Sequence, residues 1–351
     1  MAIKTSILNE DLDSIVGNVA GWGKLAGQTV LITGAAGFLG NYLVRTLLHL
    51  NARGVVEEPV RVIAGVRSMA SMPERLKDLE GNRELTFAEL DLSRIAITDL
   101  PPIDYVVHAA SNASPRFYGP DPVGTLLPNT VGVAALLTAC GDRHKGFLFI
   151  SSSEIYGAAG GEVPLTEASP GTLDSALPRS CYGEGKRAGE ALCVAWHSQY
   201  GAPVFIARPF HTYGPGLAED DGRVFADFTY NAIREEDIHI RGDGTAQRAF
   251  CYVSDAIAGF FSILFWGQPG QAYNVANADA ELSVRELAEV IVEVAPSPGL
   301  KVTVSDEGYR PGYMPSKLQR LLPSTAKLEA LGWRARVSPR EGFRRTIGAH
   351  L

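Results

Sequence analysis

The stretch TVLITGAAGFLG, Thr29 to Gly40, runs an apolar segment straight into three glycines at three-residue spacing, Gly34, Gly37 and Gly40. A helical period then starts near Phe38 and Leu39. A buried strand that ends in such a turn lets the backbone come close to a pyrophosphate, and the helix behind it offers free N–H groups and its positive end. Glycine turns also serve packing alone. The position of this one, between a strand and a helix, reads as a dinucleotide cradle.

The pattern behind the turn fits that reading. Residues 61–67, ending at Arg67, read as a second strand, LTFAELDL (85–92) as a third, DYVVHAA (104–110) as a fourth and GFLFISSS (146–153) as a fifth. VGVAALLTAC and CYGEGKRAGEALCVAWHSQYG read as helices, and PVFIARPF as a further buried strand. Strands alternating with helices predict an α/β fold, a doubly wound parallel Rossmann sheet. After Gly214 the short strand in DIHIRGDG and the helix SVRELAEVIVEV predict a smaller mixed α/β substrate-binding lobe. The expected division is an extension at 1–27, a nucleotide-binding domain at 28–212, and at 213–351 mainly a substrate lobe whose elements can rejoin the sheet. Leu8, Leu12, Ile15 and Val16 in the extension have helical spacing, so a short helix or two should pack on the body.

The chain's 46% hydrophobic and 20% charged residues suit a globular protein with a sizeable core, and its net charge of −7 argues against nucleic acid as a partner. No apolar run approaches the ~20 residues that span a bilayer, and the acidic start lacks a signal peptide's pattern, so no membrane partner and a cytoplasmic location are expected. Cys140, Cys181, Cys193 and Cys251 show no paired spacing and the seven histidines no cluster, so no metal is expected.

Tyr182 and Lys186 stand one turn apart at the opening of a helix. A phenol with its ordinary pKa near ~10 is a poor base at neutral pH, but an ammonium and an oxidised nicotinamide nearby favour phenolate. Glu154, in ISSSEIYG, puts a carboxylate at the tip of a buried strand, where a charge is costly unless it is used or paired. The second strand ends in Arg67 rather than the acid that usually holds a ribose, so Arg67 either meets the cofactor, with a 2′-phosphate as one target, or is a solvated side chain. Asp91 either contacts the adenine edge or caps its own strand end.

TGAAGFLG, HAAS, ISSSEIYG, CYGEGKR and RPFHTYGPG, in this order, resemble the extended short-chain dehydrogenase/reductase family of nucleotide-sugar epimerases, dehydratases and decarboxylases. The resemblance covers roughly residues 27 to 345. It implies Tyr182 as base, Lys186 on the nicotinamide ribose and Ser152 on the sugar 4-hydroxyl. It implies NAD as cofactor, with NADP not excluded, held by Gly34, Gly37, Phe38, Leu39, Gly40, Arg67, Asp91, Leu92, Ala109, Ala110, Ser111, Asn129, Pro209 and His211. Ser153-Glu154 is similar to UDP-glucuronate decarboxylases within that family, as are PRSCYGEGKR, DDGRVFADF and GDGTAQRAFCYVSDAI. On that likeness Ser153, Glu154 and Arg248 join the catalytic set. Ser114, Pro115, Tyr118, His211, Arg223 and Arg310 join Glu154 and Arg248 around the sugar-diphosphate. His211 departs from the family's more frequent Asn.

The resulting expectation is an NAD-dependent enzyme that decarboxylates a nucleotide-linked uronic acid, UDP-glucuronate, to UDP-xylose or its 4-keto form. The rivals are a nucleotide-sugar 4-epimerase or 4,6-dehydratase and, from another class, a non-catalytic nucleotide-sugar- or NADP-binding module. A homodimer through the Tyr/Lys helix and the helix before it is implied by the same resemblance.

Overall fold

The computed structural model describes residues 4–70, 74–93, 100–141, 143–159, 161–305 and 319–351; Arg310, a predicted diphosphate contact, lies outside the described residues. In chain order the first half comprises Thr5–Asn18 (α1), Thr29–Thr33 (β1), Phe38–Ala52 (α2), Arg61–Val66 (β2), Glu74–Lys77 (α3), Leu85–Glu89 (β3) and Tyr105–His108 (β4). Pro122–Leu126 (α4), Val131–Cys140 (α5), Gly146–Ile150 (β5), Cys181–Tyr200 (α6) and Val204–Pro209 (β6) follow. Beyond them lie His211–Tyr213 (β7), Val224–Ile233 (α7), Ile238–Arg241 (β8), Gln247–Tyr252 (β9), Val253–Trp266 (α8) and Ala272–Val275 (β10). Glu281–Ser283 (β11), Val284–Val294 (α9), Val302–Ser305 (β12), Arg320–Leu321 (β13), Ala326–Glu329 (α10) and Pro339–Gly348 (α11) complete the described elements.

Seven strands form one all-parallel sheet in the order β10-β6-β5-β4-β1-β2-β3. The central strands are buried on both faces, which is why they read as unbroken apolar runs rather than alternating ones: Val30, Leu31 and Ile32 are fully buried, as are Phe147, Leu148 and Phe149. Each such side chain contributes roughly 1.5–3 kcal/mol through burial. The chain reverses direction across the sheet between β1 and β4, so a crevice opens at their carboxyl ends. A smaller sheet, β11-β9-β13 with β7 on β9, and the β12-β8 pair stand beside it. The seventh sheet strand, β10, comes from beyond residue 213, so the C-terminal third both builds the lobe and closes the sheet edge.

β3 ends at Glu89, earlier than the apolar pattern of LTFAELDL suggests, so Asp91 stands beyond the strand rather than at its tip. Pro122–Cys140 corrects the reading that no run nears membrane length: by composition these 19 residues are long and apolar enough, with a mean hydropathy of 1.5. The stretch is not one continuous α-helix, because Leu127–Asn129 breaks it with a 3-10 turn, and its second half packs on α6.

The N-terminal extension forms α1 and a 3-10 turn at Trp22–Leu25, both packed on the body as their spacing predicts. Its anchor is a carboxylate that the apolar period conceals. Asp11 is fully buried and accepts from the phenols of Tyr42 on α2 (3.1 Å) and Tyr252 on β9 (2.9 Å) and from Arg345 on α11 (2.6 Å). Burial raises its pKa to about 6, against these three donors, which lower it. Asp11→Ala strips two buried phenols and the half-buried Arg345 guanidinium of their shared acceptor. It should cost about 3 kcal/mol in urea unfolding, with Asp11→Asn costing less.

Candidate active site

The glycine turn lies in the crevice between β1 and β4. Gly34 has φ +67°, and a Cβ there would stand 2.7 Å from the backbone of Ala110; at Gly40 it would stand 2.1 Å from the Gly34 carbonyl oxygen. The turn therefore lies directly against the end of β4, with Gly37 capping α2. Thr33 and His108 pin the two strands together through Oγ1–Nδ1 at 2.7 Å. His108 Nε2 meets the Pro128 carbonyl at 3.0 Å, and a carbonyl only accepts, so Nε2 carries the proton and Nδ1 accepts from Thr33. Burial, with Lys186 nearby, holds this imidazole neutral at a pKa of about 3.

Around this crevice stand Phe38 and Leu39 in the first turn of α2, the buried Leu92, and Ala109–Ala110–Ser111 after β4. Pro209 ends β6. Asn129 is buried and donates to Ser111 Oγ (2.9 Å) and the Thr125 carbonyl (2.8 Å), while its Oδ1 has no hydrogen-bond partner among the described residues. A buried acceptor without a donor is what a site for an absent polar group leaves behind. Together with a glycine cradle that any Cβ would fill, it fits a dinucleotide. Arg67 is exposed just past β2, and Asp91 accepts from the amide and hydroxyl of Ser93 (3.2 and 2.6 Å).

The reactive groups meet where β5, the following 3-10 turn and α6 converge. Ser152 caps the turn Ser153–Tyr156 by accepting from the Glu154 amide at 3.1 Å. That leaves its hydroxyl proton to face the Tyr182 oxygen, whose pKa it lowers. Burial pushes the Tyr182 phenol up to about 12; the Ser152 bond and the Arg223 guanidinium pull it down, and Glu154 and Asp221 push it up. Lys186, one turn along α6, is buried, and its Nζ donates to the Ile150 carbonyl at 2.6 Å and lies 5.7 Å from the Tyr182 ring centroid. Desolvation lowers this ammonium to about 7, with Glu190 pulling it back up. Ser153 is buried at the start of the turn.

Gly157, at φ +53°, ends the turn, and a Cβ there would stand 1.9 Å from the Thr172 carbonyl, so the G of ISSSEIYG is required by geometry. One shell further out, Glu190 on α6 takes Arg208 of β6 in a two-pronged pair (2.9 and 2.7 Å) and accepts from Ser151. Arg208 also donates to the Tyr156 phenol (2.9 Å), which donates to Asn274 on β10 (2.6 Å).

The predicted substrate residues surround the same point. Tyr118 stacks on the Tyr182 ring, centroids 5.3 Å apart and planes 14° apart. Its hydroxyl donates to Ala113, and the Ser114 hydroxyl donates to the Asp221 carbonyl, so both donors are engaged within the loops and the oxygens keep acceptor capacity. Pro115 opens the short turn between them. Arg223 pairs with the buried Asp221, Nη2 to Oδ2 at 2.8 Å. Arg248 on β9 donates to the Gln247 and Gln319 carbonyls. Burial between Phe225 and Phe250, with Arg248 and Arg223 close, drives His211 well below its ordinary pKa, and its Nδ1 has no partner among the described residues.

The structure adds two residues that the motifs left out. Asp221 holds Arg223, and Arg179, in the 3-10 turn before α6, pairs with Glu154 at 3.2 Å. Arg179 lies within PRSCYGEGKR, but nothing in the spacing assigns it a partner 25 residues back.

This arrangement defines a class: a dinucleotide enzyme with a buried phenol, hydroxyl and ammonium gathered beside the cofactor crevice. The sequence profile of the NAD-dependent epimerase/dehydratase family matches residues 30–276, and the chain belongs to that family, with NAD as its cofactor. The chain is 33% identical over 315 residues to UDP-glucuronic acid decarboxylase 6 of Arabidopsis thaliana, covering 90% of this chain and 86% of that protein. The fold is shared with the Bacillus cereus UDP-glucuronic acid 4-epimerase in complex with UDP-glucuronic acid and NAD, at TM-score 0.75, 24% identity, and 92% and 98% of the two chains. It is shared equally with the Bacillus anthracis dTDP-glucose 4,6-dehydratase in complex with NAD, at TM-score 0.75, 19% identity, and 92% and 96% coverage.

Gly40→Ala should weaken NAD binding at least roughly tenfold, measured by cofactor retention after gel filtration, because the added methyl displaces the Gly34 carbonyl from the cradle.

Proposed function

We propose that this chain removes CO2 from a nucleotide-linked uronic acid, UDP-glucuronate by preference, to give UDP-xylose or its 4-keto form. The observation that carries the reading is the Glu154 carboxylate, set one residue past the buried Ser153 and facing the Ser152–Tyr182 pair, beside arginines that suit an anionic substrate. The named plant decarboxylase supports it at the level of whole-chain similarity.

Ser152 donates to the phenolate form of Tyr182, which takes the proton of the sugar 4-hydroxyl. NAD, when bound, supplies the oxidation of C4 and its later reversal. With a ketone at C4 the uronic carboxylate is β to a carbonyl, so the C5–C6 bond breaks to CO2 and its electron pair is held on the ketone oxygen. Glu154 orients the water or relays the proton that reaches C5, and Tyr182 returns its proton to the C4 oxygen. The sum is UDP-glucuronate plus one proton to UDP-xylose plus CO2, with no net redox change. Lys186, anchored on Ile150, holds the nicotinamide ribose and favours the phenolate. Arg223 and Arg248, with His211 between them, receive the diphosphate. A homodimer through α5 and α6 belongs to the same proposal.

Mass spectrometry of products from UDP-glucuronate decides it. Loss of one carboxyl carbon as CO2 is expected; a retained carboxylate with inverted C4 would mean an epimerase, and a 6-deoxy-4-keto product from a neutral hexose a dehydratase. Tyr182→Phe should lower turnover by roughly 10²-fold or more while NAD stays bound. Glu154→Gln should leave C4 oxidation measurable and slow the later steps, and equal rates in all steps would refute its placing near C5.

A further inference from the structure

The two carboxylates whose charge reaches Tyr182 each have an arginine of their own. Asp221 is matched by Arg223, and Glu154 is matched by Arg179, Nη1 to Oε2 at 3.2 Å. Arg179 is fixed before it meets its partner. Its turn, Pro178–Ser180, is closed by Ser180 N–H to Leu177 O at 2.9 Å and by Ser180 Oγ to Asp174 O at 2.6 Å. The turn runs directly into α6, which carries Tyr182. The two backbones also meet, since a Cβ at Gly183 would stand 3.0 Å from the Glu154 carbonyl oxygen.

We propose that Arg179 is a positioning residue for the Tyr182 centre: its guanidinium holds the Glu154 carboxylate beside the reacting carbon and cancels the charge this carboxylate places on the phenol. Four charges, Glu154, Arg179, Asp221 and Arg223, then sum to zero around a group that must lose a proton, with Lys186 a further cation beside the ring and Tyr118 stacked on it. The demand is physical. Glu154 serves C5 only if it is ionised and close, yet an ionised carboxylate this close makes the phenolate harder to form. An arginine on the carboxylate's far side resolves the conflict without touching the substrate. The pair is about a quarter to a third exposed, 24% for Arg179 and 31% for Glu154, so its effect is moderated by solvent.

The charge-balancing half requires only that Tyr182 oxidises a sugar; the C5 half rests on the decarboxylase reading. The test is a pH profile of the first half-reaction. Holoenzyme is mixed with UDP-glucuronate, or with whichever nucleotide sugar the wild type oxidises, and nicotinamide absorbance is followed in Arg179→Gln, Glu154→Gln and the double variant. The rate rises with pH as Tyr182 ionises. In Arg179→Gln that limb should move up by roughly half to one pH unit. In Glu154→Gln it should move down, and in the double variant return close to wild type, with Arg179→Lys restoring part of the shift.

A limb unmoved in Arg179→Gln, or a shift that persists undiminished in the double variant, overturns the proposal. Should Arg179→Gln not fold, Glu154→Gln decides alone, and a limb that stays or rises there overturns it as well. Under the decarboxylase reading, Arg179→Gln should also release a larger fraction of 4-keto pentose than wild type. An unchanged fraction removes the C5 half, whereas absence of CO2 from wild type removes the decarboxylase reading and leaves the limb shifts to stand on their own.

Discussion

The Glu190 carboxylate is the fixed point of this active site. It joins three elements that come from separate parts of the chain: α6 through its own backbone, β5 through Ser151, and β6 through Arg208. Removing one partner of such a buried, doubly hydrogen-bonded pair leaves an uncompensated charge, so the geometry is held firmly once made. The register it sets brings Lys186, one turn before Glu190, under the Ile150 carbonyl. One turn before that, Tyr182 reaches the Ser152 hydroxyl. Arg208 carries the same constraint outward to Tyr156 and Asn274, so the turn bearing Glu154 is pinned at both ends. The spacing of Ser152, Tyr182 and Lys186 thus depends on a residue that is hydrogen-bonded to none of the three.

Much of this was readable from residue types and spacing. The glycine turn, the strand–helix alternation and the Tyr182–Lys186 step are local patterns, and local patterns fix local structure, so the parallel sheet and the cofactor crevice follow from them. Glu154 stood out as a charge at a buried strand tip, and the family likeness added Ser152 and a role for Glu154. What spacing does not encode is pairing over distance. Arg179 and Glu154 are 25 residues apart, Arg208 and Glu190 18, and Asp11 finds Arg345 across 334. Asp11 was the hardest to see, because a carboxylate inside an apolar helical period looks like an ordinary solvated residue until three donors are found around it. Asp91 and Arg67 show the opposite lesson. Both stand where cofactor contacts are common; Asp91 also caps its own loop and Arg67 is exposed, and neither fact decides whether it meets the cofactor.

Fold and chemistry divide cleanly here. An epimerase and a dehydratase share the sheet and the crevice with this chain, so neither distinguishes one reaction from another. Beside that shared scaffold this chain carries a carboxylate at 154, a loop from Ser114 latched onto Asp221, and an imidazole at 211 close to Arg223 and Arg248. The first two sit on turns and loops, the parts of an α/β enzyme that change most readily while the scaffold is kept, whereas His211 opens β7.

His108 bears on the molecule's behaviour in acid. In the folded chain it resists a proton until about pH 3, while in the unfolded chain it accepts one near 6.5. Between those limits the unfolded state binds the extra proton, and each pH unit of acidification favours it by about 1.4 kcal/mol. The penalty falls on the folded state as a whole, because His108 lies at the buried centre of the sheet and takes up its proton only when the chain opens. The imidazole that holds the Thr33 contact thus also weakens the fold as the medium turns acidic.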